Sequence, residues 1–458
     1  MAMGKRRRQE QGTLWVPTAQ LVRGPGHPFY RRLNEILAQQ GFDSFAEELC
    51  RKFYADKQGR PSLAPGVYFR LLLIGYFEGI DSERGIAWRV ADSLGLREFL
   101  GYSLTQAVPD HSTISRNRRL IDVQTHQEVF TWVLKRLGED GLLRGKTLGI
   151  DATTLEANAA LRSIIRKDTG ESYEKFLLGL AQASGIETPS REDLARLDRN
   201  RPRKGSNQDW ENPHDPDAKI TKMKDGRTHL AHKAEHAVDL ETGAIVAVTL
   251  QPADRGDTQS VEETLGEAMA MLEDVLAEAA AEQQMAPNVA AEVVADKGYH
   301  SNEVLRRRSE LGIRTYISEP KRGRRNWRGK KAEKRATYAN RRRIRGQRGR
   351  RLMRLRGERI ERSFAHCYET GGLRRTYLRH HKNILKRLLI HVAGFNLGLL
   401  MRKLTGTGKP RVLQGAGGLL FCLVTAIYVL WAEVATCFNR YLVSPSYQLS
   451  QSVCPAQA

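Results

Sequence analysis

The chain has 458 residues, 40% of them apolar, with 74 Lys and Arg against 52 Asp and Glu, a formal charge of +22. That length and apolar content suit two or three globular domains, and the cationic excess calls for a polyanionic partner, with nucleic acid the natural one. The five cysteines are scattered without CxxC spacing, which argues against a disulfide framework or a zinc finger and suits a reducing cytoplasm. Met1 to Arg8 is basic, but polar Gln9 to Gly12 follows where a signal peptide would place its apolar core, so export is not expected.

The first region, residues 1–145, reads as helical. Pro61 and Pro65 punctuate it, and Val67 to Phe77 supplies a helix with an apolar stripe. Ser82 to Leu94 reads as the next helix. After Val108 and Pro109, Asp110 or Ser112 can cap a helix to Ile121 that carries Arg116, Arg118 and Arg119. Short helices ending in a capped, Arg-bearing one suit a helix-turn-helix DNA reader, and they equally suit a helical bundle with a solvated basic face.

Residues 146–405 alternate strand-like and helix-like patterns, so an α/β core is expected. Thr147 to Leu155 is a strand. An inserted polar loop near 160–225 follows, its stretch Arg191 to Asp225 partly mobile. His232 to Leu240 and Ala244 to Leu250 form a hairpin around Gly243. Val261 to Ala281 is rich in Glu, Ala, Leu and Met and reads as a helix, and a second strand ends at Asp296. From Lys321 to Arg356 basic residues crowd together, Arg341, Arg342 and Arg343 among them, a run that DNA phosphates would neutralise. The helix that continues it places Glu358 and Glu361 three apart on one side.

Asp151 and Asp296 each terminate an apolar strand, where a carboxylate needs a metal or a partner. Hard oxygen ligands suit Mg²⁺, and two such ions held about 3.5–4 Å apart can grip both the attacking and leaving oxygens of an in-line phosphoryl transfer. Glu361 or Glu358 would complete an acidic triad. The series His229, His232 and His236 has zinc-like spacing but falls on a predicted strand, where odd and even separations send side chains to opposite faces. The last region, 406–458, contains the apolar run Gly417 to Ala432, short of the roughly 20 residues a membrane span needs. It reads as a buried or oligomer-forming helix before a disordered tail.

The segments TLGIDATTLEANAA, DPDAKITKMKDGRTHLAHKAEHAVDL, VVADKGYHSNEVL and GERIERSFAHCYETGGLRRTYL resemble the bacterial insertion-sequence transposases of the DDE type. The resemblance covers nearly all of residues 15–405 and includes an InsH-like helical segment ending PDHSTISRNRRLID. It implies an RNase H-like core. It also implies Asp151, Asp296 and Glu361 as catalytic residues and ligands of two Mg²⁺ or Mn²⁺ ions. The implied reaction is metal-dependent cleavage at element ends followed by attack of the 3′-hydroxyl on target DNA, by a homodimer at the cytoplasmic nucleoid. A non-cleaving DNA-binding descendant and a nuclease that does not join strands share most of these features. Some relatives place a tyrosine and an arginine before the glutamate and a basic residue seven after it. Counted from Glu361, those positions hold Arg354, Gly357 and Tyr368, leaving Arg374, Arg375 or Arg379 to hold the flanking phosphate.

Overall fold

The computed structural model describes residues 26–55, 62–201, 205–223, 226–283, 289–321, 323 and 325–411. The apolar run at 417–432 lies outside them. Seven helices come first among the described residues: α1 (Pro28–Gln39), α2 (Phe42–Cys50), α3 (Pro65–Glu78), α4 (Glu83–Asp92), α5 (Leu94–Phe99), α6 (His111–Leu120) and α7 (Val123–Glu139). Pro65 starts α3, where its missing N–H costs nothing. The expected apolar stripe is in fact nearly the whole circumference, with Tyr68 through Phe77 all buried, so α3 lies inside the bundle. Its one guanidinium, on Arg70, is held by Asp43, Asn34 and the Gly66 carbonyl. Asp110, not Ser112, caps α6, accepting from Ser112 N at 2.8 Å.

The α/β part comprises β1 (Thr147–Glu156), β2 (Ile165–Arg166), α8 (Tyr173–Ala183), α9 (Arg191–Asn200), β3 (Trp210–Glu211), β4 (Lys219–Lys222), β5 (Thr228–Asp239), β6 (Ile245–Pro252), α10 (Asp257–Gln283), β7 (Glu292–Ala295), α11 (Asn302–Glu310), β8 (Arg314–Ile317), α12 (Lys331–Arg345), α13 (Gln347–Phe364) and α14 (His381–Thr405). In the main sheet β6, β5, β1, β7 and β8 lie side by side, and β4 also pairs with β5. The β6–β5–β1 meander is antiparallel, and β1, β7 and β8 run parallel. Helix α10 is longer at both ends than its composition suggests.

The inserted polar segment is not a loop. Trp210, Ile164, Ala157, Ala218 and Leu230 are buried together, with Tyr173 and Phe176 packed on them, which seats α8 and the β2–β3 pair on the ends of β1 and β5, with α9 packed against α8. Ser190 caps α9 with a capping box through Asp193. The expectation of a polar loop failed because few large apolar residues, widely spaced, suffice to fix such a segment.

At each edge of the main sheet an asparagine side chain stands in for a neighbouring strand. Asn396 of α14 accepts from Ile245 N (3.0 Å) and donates to Ile245 O (2.8 Å) on β6. Asn340 of α12 does the same for Ile317 on β8 (3.0 and 2.9 Å), and Asn207 for Ile220 on β4 (2.7 and 3.0 Å). Each amide satisfies an edge N–H and C=O together.

Helix α14 is long and apolar enough to cross a membrane, but 89% of its most apolar window is buried. It packs against α3, α7 and β6, so the first helices and the sheet share one core. The described residues up to Gly408 form one compact unit.

Candidate active site

Strand β1 lies between β5 and β7, with Asp151 opposite His236 on β5 and Ile150 opposite Ala295 on β7. Asp296 immediately follows β7, so the two aspartates occupy neighbouring strands at the same level. Asp296 caps the short turn Lys297–Tyr299, accepting from Gly298 N at 2.7 Å. A Cβ on residue 298 would come within 3.0 Å of carboxylate oxygens of both Asp257 and Asp296; glycine is required by close approach, and Asp257 is a neighbour of Asp296 that the sequence did not reveal.

Asp151 Oδ1 accepts from Ala152 N at 2.9 Å and Oδ2 from Arg356 Nη1 at 2.6 Å. Burial pushes its carboxyl above the ordinary aspartate range; Arg356 pulls it down, and the negative charge of Asp296 adds to the rise. Two carboxylates brought together at neighbouring strand positions offer the hard oxygen donors that suit a dication such as Mg²⁺ or Mn²⁺. Arg356 projects from α13, the helix that also carries Glu361 and Glu358. Both glutamates are exposed, and Glu358 pairs with Arg362 at 3.1 Å. It is an arginine, not a glutamate, that touches Asp151 from this helix.

Behind Asp151, His236 is fully buried. Its Nδ1 lies 3.0 Å from Ser363 Oγ and its Nε2 lies 2.5 Å from Tyr368 O–H. The Ser363 hydroxyl donates to Ile360 O, so it accepts from Nδ1–H and leaves Nε2 to accept from Tyr368. Burial lowers the His236 pKa to about 3, which keeps the ring neutral. Tyr368, at the position where some relatives are basic, is buried on a five-residue π-helical turn, Ala365–Glu369. The three histidines of β5 diverge: His229 lies near Glu156, His232 near Asp215 and His236 on Tyr368. On the opposite face Glu235 accepts from Ser260 (2.9 Å), Thr264 and Tyr299 (2.6 Å), while Lys233 donates to Asp257 at 2.5 Å.

The basic residues sort into two kinds. Arg116 and Arg119 are exposed on α6, but Arg118 is buried against Glu83 at 2.7 Å, so it braces the bundle instead of facing DNA. The sequence could not separate them because α6 places its middle arginine toward α4. In the later run Arg342 is exposed, whereas Arg341 pairs with Glu319 at 2.9 Å and lies over the Tyr338 ring. Arg343 turns inward to Thr315 O at 2.9 Å, and Arg348 binds Glu292. The run is therefore partly neutralised by carboxylates of its own chain. Trp327 and Tyr338 pack on Arg325 and Arg341 respectively. Arg374 reaches β1, donating to Thr153 Oγ1 and Thr154 O, both at 3.2 Å; Arg375 is exposed beside Glu156 at 3.7 Å.

Residues 17–120 match the family described as Transposase domain (DUF772), and residues 207–396 match the Transposase DDE domain. No curated protein and no solved structure gives a match. Asp296 and Glu361 fall within the second matched segment, and Asp151 falls between the two, joined to it by the pairing of β1 with β5 and β7. The chain belongs to the insertion-sequence transposases of the DDE type, enzymes that cleave and transfer DNA strands with a divalent metal.

Proposed function

We propose that this transposase cleaves the ends of its insertion sequence and joins the freed 3′-hydroxyl to target DNA, with Asp151, Asp296 and Glu361 holding two Mg²⁺ or Mn²⁺ ions. The observation that carries the reading is the placement of Asp151 and Asp296 at the same level of adjoining strands, with the Asp296 charge among the causes that raise the Asp151 carboxyl. The order β6–β5–β1–β7–β8, three antiparallel strands then two parallel, supports an RNase H-like core. When bound, the ions would activate the attacking oxygen and neutralise charge on the phosphate. The chain's own groups do the positioning: Ala152 N and Arg356 fix Asp151, and Gly298 N orients Asp296. Glu361 is assigned over Glu358 because Glu358 is engaged with Arg362.

Arg374 and Arg375, beside Thr153 and Glu156, would hold the phosphate flanking the scissile bond. Arg116, Arg119 and Arg342 would track the backbone of the duplex, with α6 as the DNA-reading helix of the N-terminal region. Two ends must be brought together, which calls for a homodimer, and a chromosomal substrate places the work at the cytoplasmic nucleoid.

The test incubates purified protein with labelled DNA bearing the element's own ends, with Mg²⁺ or EDTA, comparing wild type with Asp296→Asn. Metal-dependent nicking at the ends and joining to target, absent in the variant, is expected. Nicking without joined product would identify a hydrolytic nuclease, and binding without cleavage a DNA-binding descendant; either overturns the reading.

A further inference from the structure

We propose that Asp215, Asp217 and His380, backed by His232, form a second metal site, structural in role, that takes a transition-metal dication such as Zn²⁺. It is independent of the catalytic pair. His232 shares a sheet face with His236, the residue opposite Asp151, and lies four residues further along β5, roughly 13 Å at about 3.3 Å per residue.

One ligand atom from each of Asp215, Asp217 and His380 lies within 4.8 Å of the others. The loop that carries the aspartates is fixed: Asn212 Oδ1 accepts from His214 N and Asp215 N (3.0 and 3.1 Å), and Ala218 N donates to Asp215 O. Helix capping explains half of the carboxylate oxygens. Asp215 Oδ1 accepts from His380 N at 3.1 Å and Asp217 Oδ2 from His381 N at 2.9 Å, at the start of α14. Of the other two, Asp215 Oδ2 is buried and is met by the His232 ring alone, as an ion-pair contact.

The second observation is His232. Its side chain is completely buried, neither ring nitrogen makes a hydrogen bond, and Nε2 points at Asp215 Oδ2 from 3.2 Å. A buried imidazole and a buried carboxylate oxygen that face each other at 3.2 Å, with no well-formed hydrogen bond to either, are costly. A cation between the carboxylates would satisfy the oxygen and orient the imidazole, either as a ligand or as the ring braced behind the ligating aspartate.

The donor set decides the class of ion. Two carboxylates with one or two imidazoles match Zn²⁺ and its neighbours rather than Mg²⁺, which keeps to oxygen and water. Metal–donor bonds of about 2.0–2.2 Å require the three atoms to draw closer than 4.8 Å, and exposed His380 is the arm free to do it. His380 is also held at φ 67° and ψ 135°, a conformation that side chains resist. Bound metal would pin the segment after β3 to the first turn of α14, the helix shared by the bundle and the sheet.

The experiment uses full-length Asp151→Asn/Asp296→Asn protein, so that the catalytic carboxylates do not contribute, stripped with chelator and titrated with Co²⁺. Expected is a single Co²⁺ giving the visible d–d absorption of a four-coordinate N/O site, displaced by Zn²⁺, with a rise in melting temperature on adding Zn²⁺. Adding His380→Gly should abolish the absorption and the Zn²⁺ shift. The metal-free protein should then melt no lower than its parent, since glycine accepts the positive φ; this separates ligand loss from misfolding. Asp217→Asn should likewise remove the signal. Absence of the absorption in the parent, or its persistence in both His380→Gly and Asp217→Asn, overturns the proposal.

Discussion

Arg356 on α13 donates to Asp151 on β1 at 2.6 Å, so the carboxylate proposed to bind metal is neutralised by a cation of its own chain. The Asp151 carboxyl sits above its ordinary range because of burial, so within that window the folded chain holds more protons than the unfolded one. Its contribution to stability is present in acid and is lost as pH rises through the elevated value. A bound dication reverses that loss. The rise in melting temperature caused by Mn²⁺ should therefore be largest near neutrality and fade as pH falls through the Asp151 range. Arg356→Ala should lower metal-free stability by about 2 kcal/mol, less than the roughly 3–5 of a fully buried pair, because 28% of the Asp151 side chain is exposed. Mn²⁺ should restore part of it. Scanning fluorimetry across pH with Mn²⁺ or EDTA checks this; an equal shift in Asp151→Asn would refute it.

Glu361→Gln should reduce end cleavage by about 10²-fold or more, the scale of several kcal/mol for a lost metal ligand, while leaving DNA affinity intact. Glu358→Gln should cost less than about threefold, since its carboxylate engages only the exposed Arg362. Single-turnover cleavage of a labelled end distinguishes them, and the reverse order would move the third carboxylate to Glu358.

The arginines of α6 should separate into two phenotypes. Arg116→Ala with Arg119→Ala should weaken DNA binding and flatten the dependence of log affinity on log salt by about 2, leaving the melting temperature unchanged. Arg118→Ala should instead destabilise the protein by about 2 kcal/mol, less than a fully buried pair, because the half-buried Glu83 loses its partner. Salt-dependent binding isotherms and thermal melts of the same variants provide the check.

His126 and His236 are buried, each with a pKa lowered to about 3, burial being the chief cause. A histidine with a depressed pKa binds fewer protons folded than unfolded, so stability present above about pH 6.5 is lost as pH falls toward 3. The cost reaches a few kcal/mol for each ring at full protonation. Acid unfolding followed by circular dichroism should steepen below about pH 6, and His236→Gln should shallow that limb.

Much of this was legible in the sequence where a strong local pattern met a strong local cause. The hairpin around Gly243, the capped helix after Asp110 and the strand ending before Asp296 form as their patterns imply, whereas β1 does not end at Asp151 but runs on to Glu156 because β5 pairs with it that far. What the sequence concealed depends on distant partners. Arg118 and Arg341 look like their neighbours until Glu83 and Glu319 are seen to hold them. Asp257 reaches Asp296 only through the absence of a side chain at Gly298. The segment after β1 looked like a loop because its core consists of a few aromatics tens of residues apart.

The three asparagines at Ile220, Ile245 and Ile317 also govern how molecules of this protein can meet. An edge whose amide is already answered by a side chain offers no template there to an incoming strand, so assembly by sheet extension is blocked at those positions. In the dimer proposed above, those positions would leave joining to helices, loops, the rest of the edges or the DNA itself. A change as small as Asn340→Asp, which keeps the acceptor but loses the donor to Ile317 O, would reopen a position where chains could zip together and precipitate.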